Sequence, residues 1–109
     1  MANTFKLKTK ANVGVTTVGI YTAPAATTTV VIGFTMANTS GSGVNVGVGI
    51  TRAGTTEDVK LLKNAPIPQG SSLEFMAGNK IVLEATDTVV VDSDTNNSVD
   101  AALTIMEIT

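Results

Sequence analysis

Residues 44–52 read VNVGVGITR, and their alternation decides the fold class. Val44, Val46, Val48 and Ile50 fall on one face of an extended chain, and Asn45, Gly47, Gly49 and Thr51 fall on the other. A period of two is typical of a strand that buries one face and exposes the other. The stretch therefore predicts a half-buried β-strand.

The same pattern repeats outward from this strand in both directions, with turn signals about every 8–12 residues. The chain holds 18 threonines and 14 valines, which are β-branched types that suit a pleated sheet. No stretch shows a helical period with caps. We expect an all-β fold in one domain over residues 1–109: an antiparallel β-sandwich, jelly-roll-like or Greek-key, of about eight to nine short strands. The predicted strands are Thr4–Asn12, Thr17–Thr22, Thr28–Asn38, Val44–Arg52, Asp58–Asn64, Ser72–Phe75, Lys80–Leu83, Thr86–Asp92 and Ser98–Ile108.

Three segments around the central strand predict its connections. The Ser/Gly cluster at 38–43 predicts a hairpin, and Ala53–Gly54–Thr55–Thr56 predicts a turn into the next strand. The segment Ala65–Gly70 (APIPQG) contains two prolines without N–H donors, so it cannot continue a central strand.

The composition excludes much of enzyme and cofactor chemistry. The 109 residues include no His, Cys or Trp, which excludes a zinc finger, a Ser–His–Asp triad and a disulfide framework. The net charge of −2 does not suggest a nucleic-acid partner. Charged residues make up only 15% of the chain and the mean hydropathy is +0.30, which predicts a surface covered by neighbouring subunits.

Targeting and membrane signals are not expected in this chain. The three lysines within Met1–Lys10 are not followed by the apolar block of a signal peptide. The longest apolar patches are as short as a strand, far below the roughly 18 residues that a spanning helix needs. We therefore expect no membrane partner.

The candidate groups for chemistry are all acidic or glycine-rich. Asp92–Ser93–Asp94, followed by two asparagines, predicts either a solvated hairpin turn or an oxygen-lined cation site, with the turn favoured. Glu57 and Asp58 are adjacent and face opposite ways on a strand, and the spacing of Glu74 and Glu84 does not support a carboxylate pair. The Gly-x-Gly stretches do not continue into a phosphate-binding motif. We expect no catalytic residue, no cofactor and no metal.

Two features predict contacts with other subunits. Lys6, Lys8 and Lys10 form a positive stripe opposite Phe5. The stripe predicts contact with an acidic neighbour or, with less support, with nucleic acid, or it protects an edge strand against aggregation, which is the favoured interpretation. Glycine within a strand often marks close approach of another backbone. Gly47–Gly49 therefore predicts either a tight subunit contact or a local bulge.

Five segments carry a resemblance to a known group: MANTFKLKTKANVG, IYTAPAATTTVVIGFTMANTSGSGVNVGV, KNAPIPQGSSLEF, GNKIVLEATDTVVV and SVDAALTIMEIT. They cover most of the chain in order. The chain resembles small virion structural proteins of tailed bacteriophages, especially those of marine cyanobacteria. It departs from the pattern at Thr86, where the group has Gly in a Glu-Ala-Gly-Asp turn.

The resemblance implies a non-enzymatic part of a phage particle that is made in the host cytoplasm. We expect a capsid decoration or cement protein, a homo-oligomer with a trimer favoured, whose partner is the major capsid protein. The alternatives are a tail, neck or fibre-attachment component and, with less support, a host-surface carbohydrate-binding module. Contacts are expected from Ala2–Lys10, the Gly47–Gly49 face and Ala65–Gly70, through Phe5, Lys6, Lys8, Lys10, Gly47, Gly49, Pro66, Ile67 and Pro68.

Overall fold

The computed structural model describes residues 3–52, 58–76 and 80–109, and these residues form nine β-strands and no helix. None of them therefore lies in a helix with the length and apolarity needed to cross a membrane. The predicted turn at 53–56, Glu57 and Ala2 lie outside the described residues. The strands are β1 (Asn3–Val13), β2 (Val18–Thr22), β3 (Thr28–Asn38), β4 (Val44–Thr51), β5 (Asp58–Ile67), β6 (Ser72–Glu74), β7 (Ile81–Leu83), β8 (Thr88–Ser93) and β9 (Val99–Ile108).

The strands form two antiparallel sheets that pack together as a sandwich, which confirms the predicted fold class. Sheet one has the order β1-β9-β3-β6, with β7 also paired to β3. Sheet two has the order β2-β8-β4-β5. The thinnest dimension of the molecule, 21 Å, fits two sheets about 10 Å apart with side chains on both outer faces.

The pairing is that of one long hairpin rolled up on itself. β4 pairs with β5 at its tip, β3 pairs with β6 and β7, β2 pairs with β8, and β1 pairs with β9. β3 also pairs with β9, and β4 also pairs with β8, so that these strand pairs are joined into two sheets. This nesting is the arrangement of a jelly roll.

The rolled topology overturns two predicted connections. The cluster at 38–43 joins β3 of sheet one to β4 of sheet two, and the acidic turn after Asp92 joins β8 of sheet two to β9 of sheet one. Neither connection is a hairpin. Asn38 holds the first one in shape, because its side-chain amide donates to the carbonyl oxygens of Ser42 and Ile67 over 2.8 and 2.9 Å.

The end of β5 also differs from the prediction. The strand continues past Asn64 to Ile67, with Pro66 opposite Asn45 of β4. A proline is tolerated there because β5 is an edge strand, which has a partner on one side only. Ala65–Ile67 is thus strand and not connection, although the exclusion from a central strand was correct.

The core lies between the sheets and follows the predicted alternation. Val44, Val46, Val48 and Ile50 are buried, as is every second residue of β9 from Val99 to Glu107. Phe34 is also buried, and its ring meets that of Phe75 edge-on with centroids 6.2 Å apart.

A tight turn precedes β8 and contains the residue at which the chain departs from the phage pattern. The amide of Asp87 donates to the carbonyl of Glu84 over 3.1 Å, and Thr86 between them has φ +67°. A positive φ at the third position of a turn favours glycine and is strained for a β-branched residue. The expected Gly at position 86 therefore has a physical reason in this fold.

Candidate interaction surface

The outer face of sheet one, here called face one, carries apolar side chains in register across four strands. Phe5 of β1 lies opposite Met106 of β9, which lies opposite Val30 of β3, which lies opposite Val82 of β7. We call these four residues the apolar row. Phe5 is 69% exposed and Val82 is 59% exposed, while the two central members are half-buried.

Beside the apolar row, face one has a groove lined mainly by alanine and threonine side chains. Leu7, the next outward residue of β1, is 64% exposed. Beyond it a shallow groove of about 330 Å³ is lined by Thr9, Lys10, Ala11, Thr35, Ala37, Asp100, Ala101 and Ala102. Exposed apolar side chains in one contiguous group are a typical mark of a protein–protein contact site.

The lysine stripe lies on the other face of β1. Lys6, Lys8 and Lys10 pair in register with buried residues of β9, so they lie on the core side of sheet one. On this edge strand Lys6 and Lys10 are nevertheless exposed and Lys8 is half-buried. Charges pointing inward from an edge strand are one of the known protections against edge-to-edge aggregation.

A buried polar network ties the stripe to the core. The Nζ of Lys6 lies 2.9 Å from Oε1 of Glu107, and the hydroxyl of Tyr21 donates to Oε2 of Glu107 over 2.6 Å. The hydroxyls of Tyr21 and Thr29 lie 2.8 Å apart. Burial, followed by the bond to Glu107, raises the pKa of Tyr21 to about 12. The bonds from Tyr21 and then Lys6 hold the pKa of Glu107 below its ordinary value.

The glycines of β4 lie on the outer face of sheet two, here called face two, and the chain itself covers them. A Cβ on Gly47 would lie 2.6 Å from Oδ1 of Asp92, and one on Gly49 would lie 2.8 Å from the carbonyl oxygen of Val59. The β4–β5 ladder has two register shifts here, and the carbonyl oxygen of Leu62 also lies 3.3 Å from a Cβ on Gly47. The bulge alternative accounts for both glycines, and a subunit contact there stays a prediction.

Only some of the contact residues predicted in Ala65–Gly70 are exposed. Pro66 and Pro68 are exposed, whereas Ile67 is 1% exposed and packs in the core. The carbonyl of Pro68 accepts a bond from the amide of Ser71 over 3.1 Å, which fixes the turn into β6. Ile67 is therefore not part of the proposed contact surface.

The acidic candidates make local hydrogen bonds. Oδ2 of Asp92 accepts from the hydroxyl of Thr17 over 3.1 Å, and Oδ1 of Asp94 accepts from the amide of Asn45 over 3.2 Å. Within the described residues no three acidic side chains come together as a metal site would require. The geometry favours the turn interpretation for this segment.

Glu74 makes its contacts with β3, whereas Glu84 and Asp87 share one arginine. Glu74 accepts from the backbone of Phe34 and from the hydroxyl of Thr35. Glu84 and buried Asp87 both bind the guanidinium of Arg52, over 2.6 and 3.2 Å. These contacts stabilise strand ends and turns.

Sequence reasoning found Phe5 and missed the rest of the apolar row. Met106, Val30 and Val82 are ordinary strand residues in the sequence, and nothing local marks them. Their alignment depends on which strands are neighbours, so the only signal available was the outward alternation of β1 and β9 taken together.

No protein-family model and no curated protein matches the chain. Among solved structures it is similar to a chain of the disulfide-linked pili of Bacillus endospore appendages, with TM-score 0.58, 15% identity, and coverage of 99% of this chain and 87% of that one. It is also similar to a chain of the acid-stable capsid of Helicobacter pylori bacteriophage KHP30, with TM-score 0.58, 11% identity, and coverage of 100% and 94%. A chain of infectious bursal disease virus strain Gx gives TM-score 0.54 and 13% identity, with coverage of 96% of this chain and 36% of that one. At these identities the likeness shows a shared fold.

Proposed function

We propose that the protein is a non-enzymatic structural protein of a phage particle, a capsid decoration protein that binds the assembled head shell through face one. The observation that carries the proposal is the apolar row, since an exposed apolar surface aligned across four strands suits burial against a partner. The broad dimensions of the molecule, 45 and 28 Å, accommodate the roughly 800 Å² that one partner buries in a standard interface.

The structural neighbours support the same setting. Chains of a phage capsid and of a virus particle share this fold over nearly all of the present chain. The phage resemblance of the sequence agrees with them. The proposed mechanism is burial of area repeated over many symmetry-related copies, so that modest individual contacts stabilise the assembled shell relative to free subunits.

A tail, neck or fibre component is the second candidate. The likeness to a pilus chain favours it, because that neighbour matches with the same TM-score as the phage capsid chain. In that role face one would contact the next subunit along an axis and not the head lattice.

Binding to isolated heads tests the proposal. Purified protein is mixed with expanded empty heads that lack it, and the bound fraction is measured by sedimentation. We expect saturable binding that F5D weakens at least about tenfold, because an exposed carboxylate would have to be desolvated in the contact. The control V15D changes an exposed valine between β1 and β2, off the apolar row, and should bind like the wild type. Protein that stays monomeric and does not bind heads would contradict the proposal.

A further inference from the structure

The open edge of β1 is the one long, regular strand edge among the described residues. β6 and β7 have three residues each, β2 has five, and β5 is interrupted by two register shifts and Pro66. β1 pairs with β9 in unbroken register from Asn3 to Lys10. Alternate N–H and C=O groups of an edge strand point away from its neighbour, and in the described residues no backbone bond joins this stretch to any strand but β9.

The two faces of this edge carry different chemistry. A strand added beside β1 would meet Phe5 and Leu7 on one face, and both are more than 60% exposed. On the other face it would meet Lys6, Lys8 and Lys10. Within the described residues Lys6 pairs with Glu107, and neither Lys8 nor Lys10 forms an ion pair.

A second copy of the chain is a poor occupant of this edge. When two identical strands pair antiparallel about a two-fold axis, each face of one strand continues the same face of the other. The lysines of one copy then lie opposite the lysines of its partner. In a pairing centred on Lys8, for example, Lys6 would face Lys10, and like charges directly opposite each other are destabilising. The stripe thus disfavours self-pairing while leaving the edge open to a strand of opposite charge.

We propose that β1 accepts an extended segment of another virion protein as an additional strand of sheet one. The segment has Asp or Glu at alternate positions facing Lys6, Lys8 and Lys10, and apolar residues between them facing Phe5 and Leu7. Main-chain hydrogen bonds hold the segment, and the alternating side chains select it. The inference rests on the proposed function in taking the donor to be a neighbouring subunit of the particle.

Two synthetic peptides of identical composition test the inference on the purified full chain. One alternates Glu with Val, and the other places all its Glu residues before all its Val residues. We expect the alternating peptide to bind, and to protect from hydrogen exchange those amides of Asn3–Lys10 that do not bond to β9. The block peptide should bind at least about tenfold more weakly, because it can match only part of the stripe.

The charge-reversed variant K8E/K10E provides the second arm. It spares Lys6 and its contact with Glu107, and its thermal unfolding shows whether the fold is kept. The variant should bind the alternating Glu/Val peptide at least about tenfold more weakly than the wild type does, and it should bind an alternating Lys/Val peptide that the wild type does not bind. Equal binding of the alternating and block peptides, binding without protection of β1 amides, or no binding at all would overturn the inference.

Binding to heads separates this inference from the proposed function. Wild-type protein that fails to bind heads contradicts the proposed function. Wild-type and K8E/K10E proteins that bind heads equally well leave the proposed function standing and overturn the assignment of β1 as its docking edge.

Discussion

The two outer faces of the sandwich both belong to antiparallel sheets, but their exposed side chains differ. On face two, the β5 carbonyl of Val59 and the carboxylate of Asp92 fill the space over Gly49 and Gly47, and the hydroxyls of Thr22 and Thr88 bond over 2.9 Å. On face one, nothing within the described chain covers Phe5 or Val82. Three of the five exposed large hydrophobic side chains among the described residues, Phe5, Leu7 and Val82, lie on face one, whereas the glycines of face two are covered by other parts of the chain.

The largest expected effect comes from adding one methyl group to each face. Gly49→Ala should cost about 1–3 kcal/mol, because its Cβ would lie 2.8 Å from a backbone carbonyl oxygen that cannot swing away. Gly33→Ala on face one should be neutral or stabilise by about 0.5–1 kcal/mol, since the nearest atoms lie 3.9 Å from the added carbon and alanine orders more easily than glycine. Urea unfolding measures both. Equal changes in the free energy of unfolding for the two variants would contradict the difference in packing between the two faces.

The next largest effect concerns the buried network that holds β1 to the core. Tyr21→Phe should destabilise the protein by about 1–3 kcal/mol, because Glu107 and Thr29 lose a buried partner. Thr88→Val removes a hydroxyl bond on face two that is exposed to solvent, so it should cost less. Thermal unfolding of the two variants measures the difference, and a larger cost at Thr88 would contradict the account.

The same network predicts a pH dependence on the alkaline side. The pKa of Tyr21 is about 12 in the folded protein and about 10 when the chain is unfolded. The unfolded chain therefore releases this proton first, and the Tyr21 contribution to the free energy of unfolding is constant below pH 10 and falls between about pH 10 and 12. Because Tyr21 is the only tyrosine, tyrosinate absorbance reports it alone. We expect the difference in free energy of unfolding between the wild type and Tyr21→Phe to fall across this range. A difference that stays constant would contradict a raised pKa of Tyr21 in the folded protein.

A smaller gain is expected at the turn before β8, which belongs to neither face. Thr86→Gly should stabilise by about 0.5–1 kcal/mol, because relief of the positive φ outweighs the added freedom of the unfolded chain. Asn97→Gly is the matched control, since Asn97 also has positive φ but asparagine tolerates that conformation. The shift in melting temperature measures both. A gain at Asn97 that equals the gain at Thr86 would contradict the strain argument.

The smallest effect on stability is expected from the apolar row itself. F5D and V82D should each change the free energy of unfolding by less than about 0.5 kcal/mol, because both side chains are mainly exposed in the free protein. Denaturant unfolding of each variant checks this. Large destabilisation would show that the apolar row serves folding, and the difference between the faces would then lose its functional meaning.

The sequence was sufficient to locate the strands, since alternation and turn residues are local. β3 over Thr28–Asn38 matches the prediction at both ends, and the faces of β4 were assigned correctly. Pairing was not predictable, because a serine- and glycine-rich turn such as 40–43 serves equally for a hairpin and for a connection between two sheets. Register depends on contacts distant in sequence, and for this reason the alignment of Phe5 with Met106, Val30 and Val82 could not be inferred.

A cryo-EM reconstruction of the particle would show both where the protein lies and which of its faces is buried. We expect density for the sandwich on the head lattice, with face one and β1 against a neighbouring subunit and face two toward solvent. Density on the tail axis would contradict the decoration role. A sandwich on the lattice with face two buried and Phe5 in solvent would contradict the assignment of the surface.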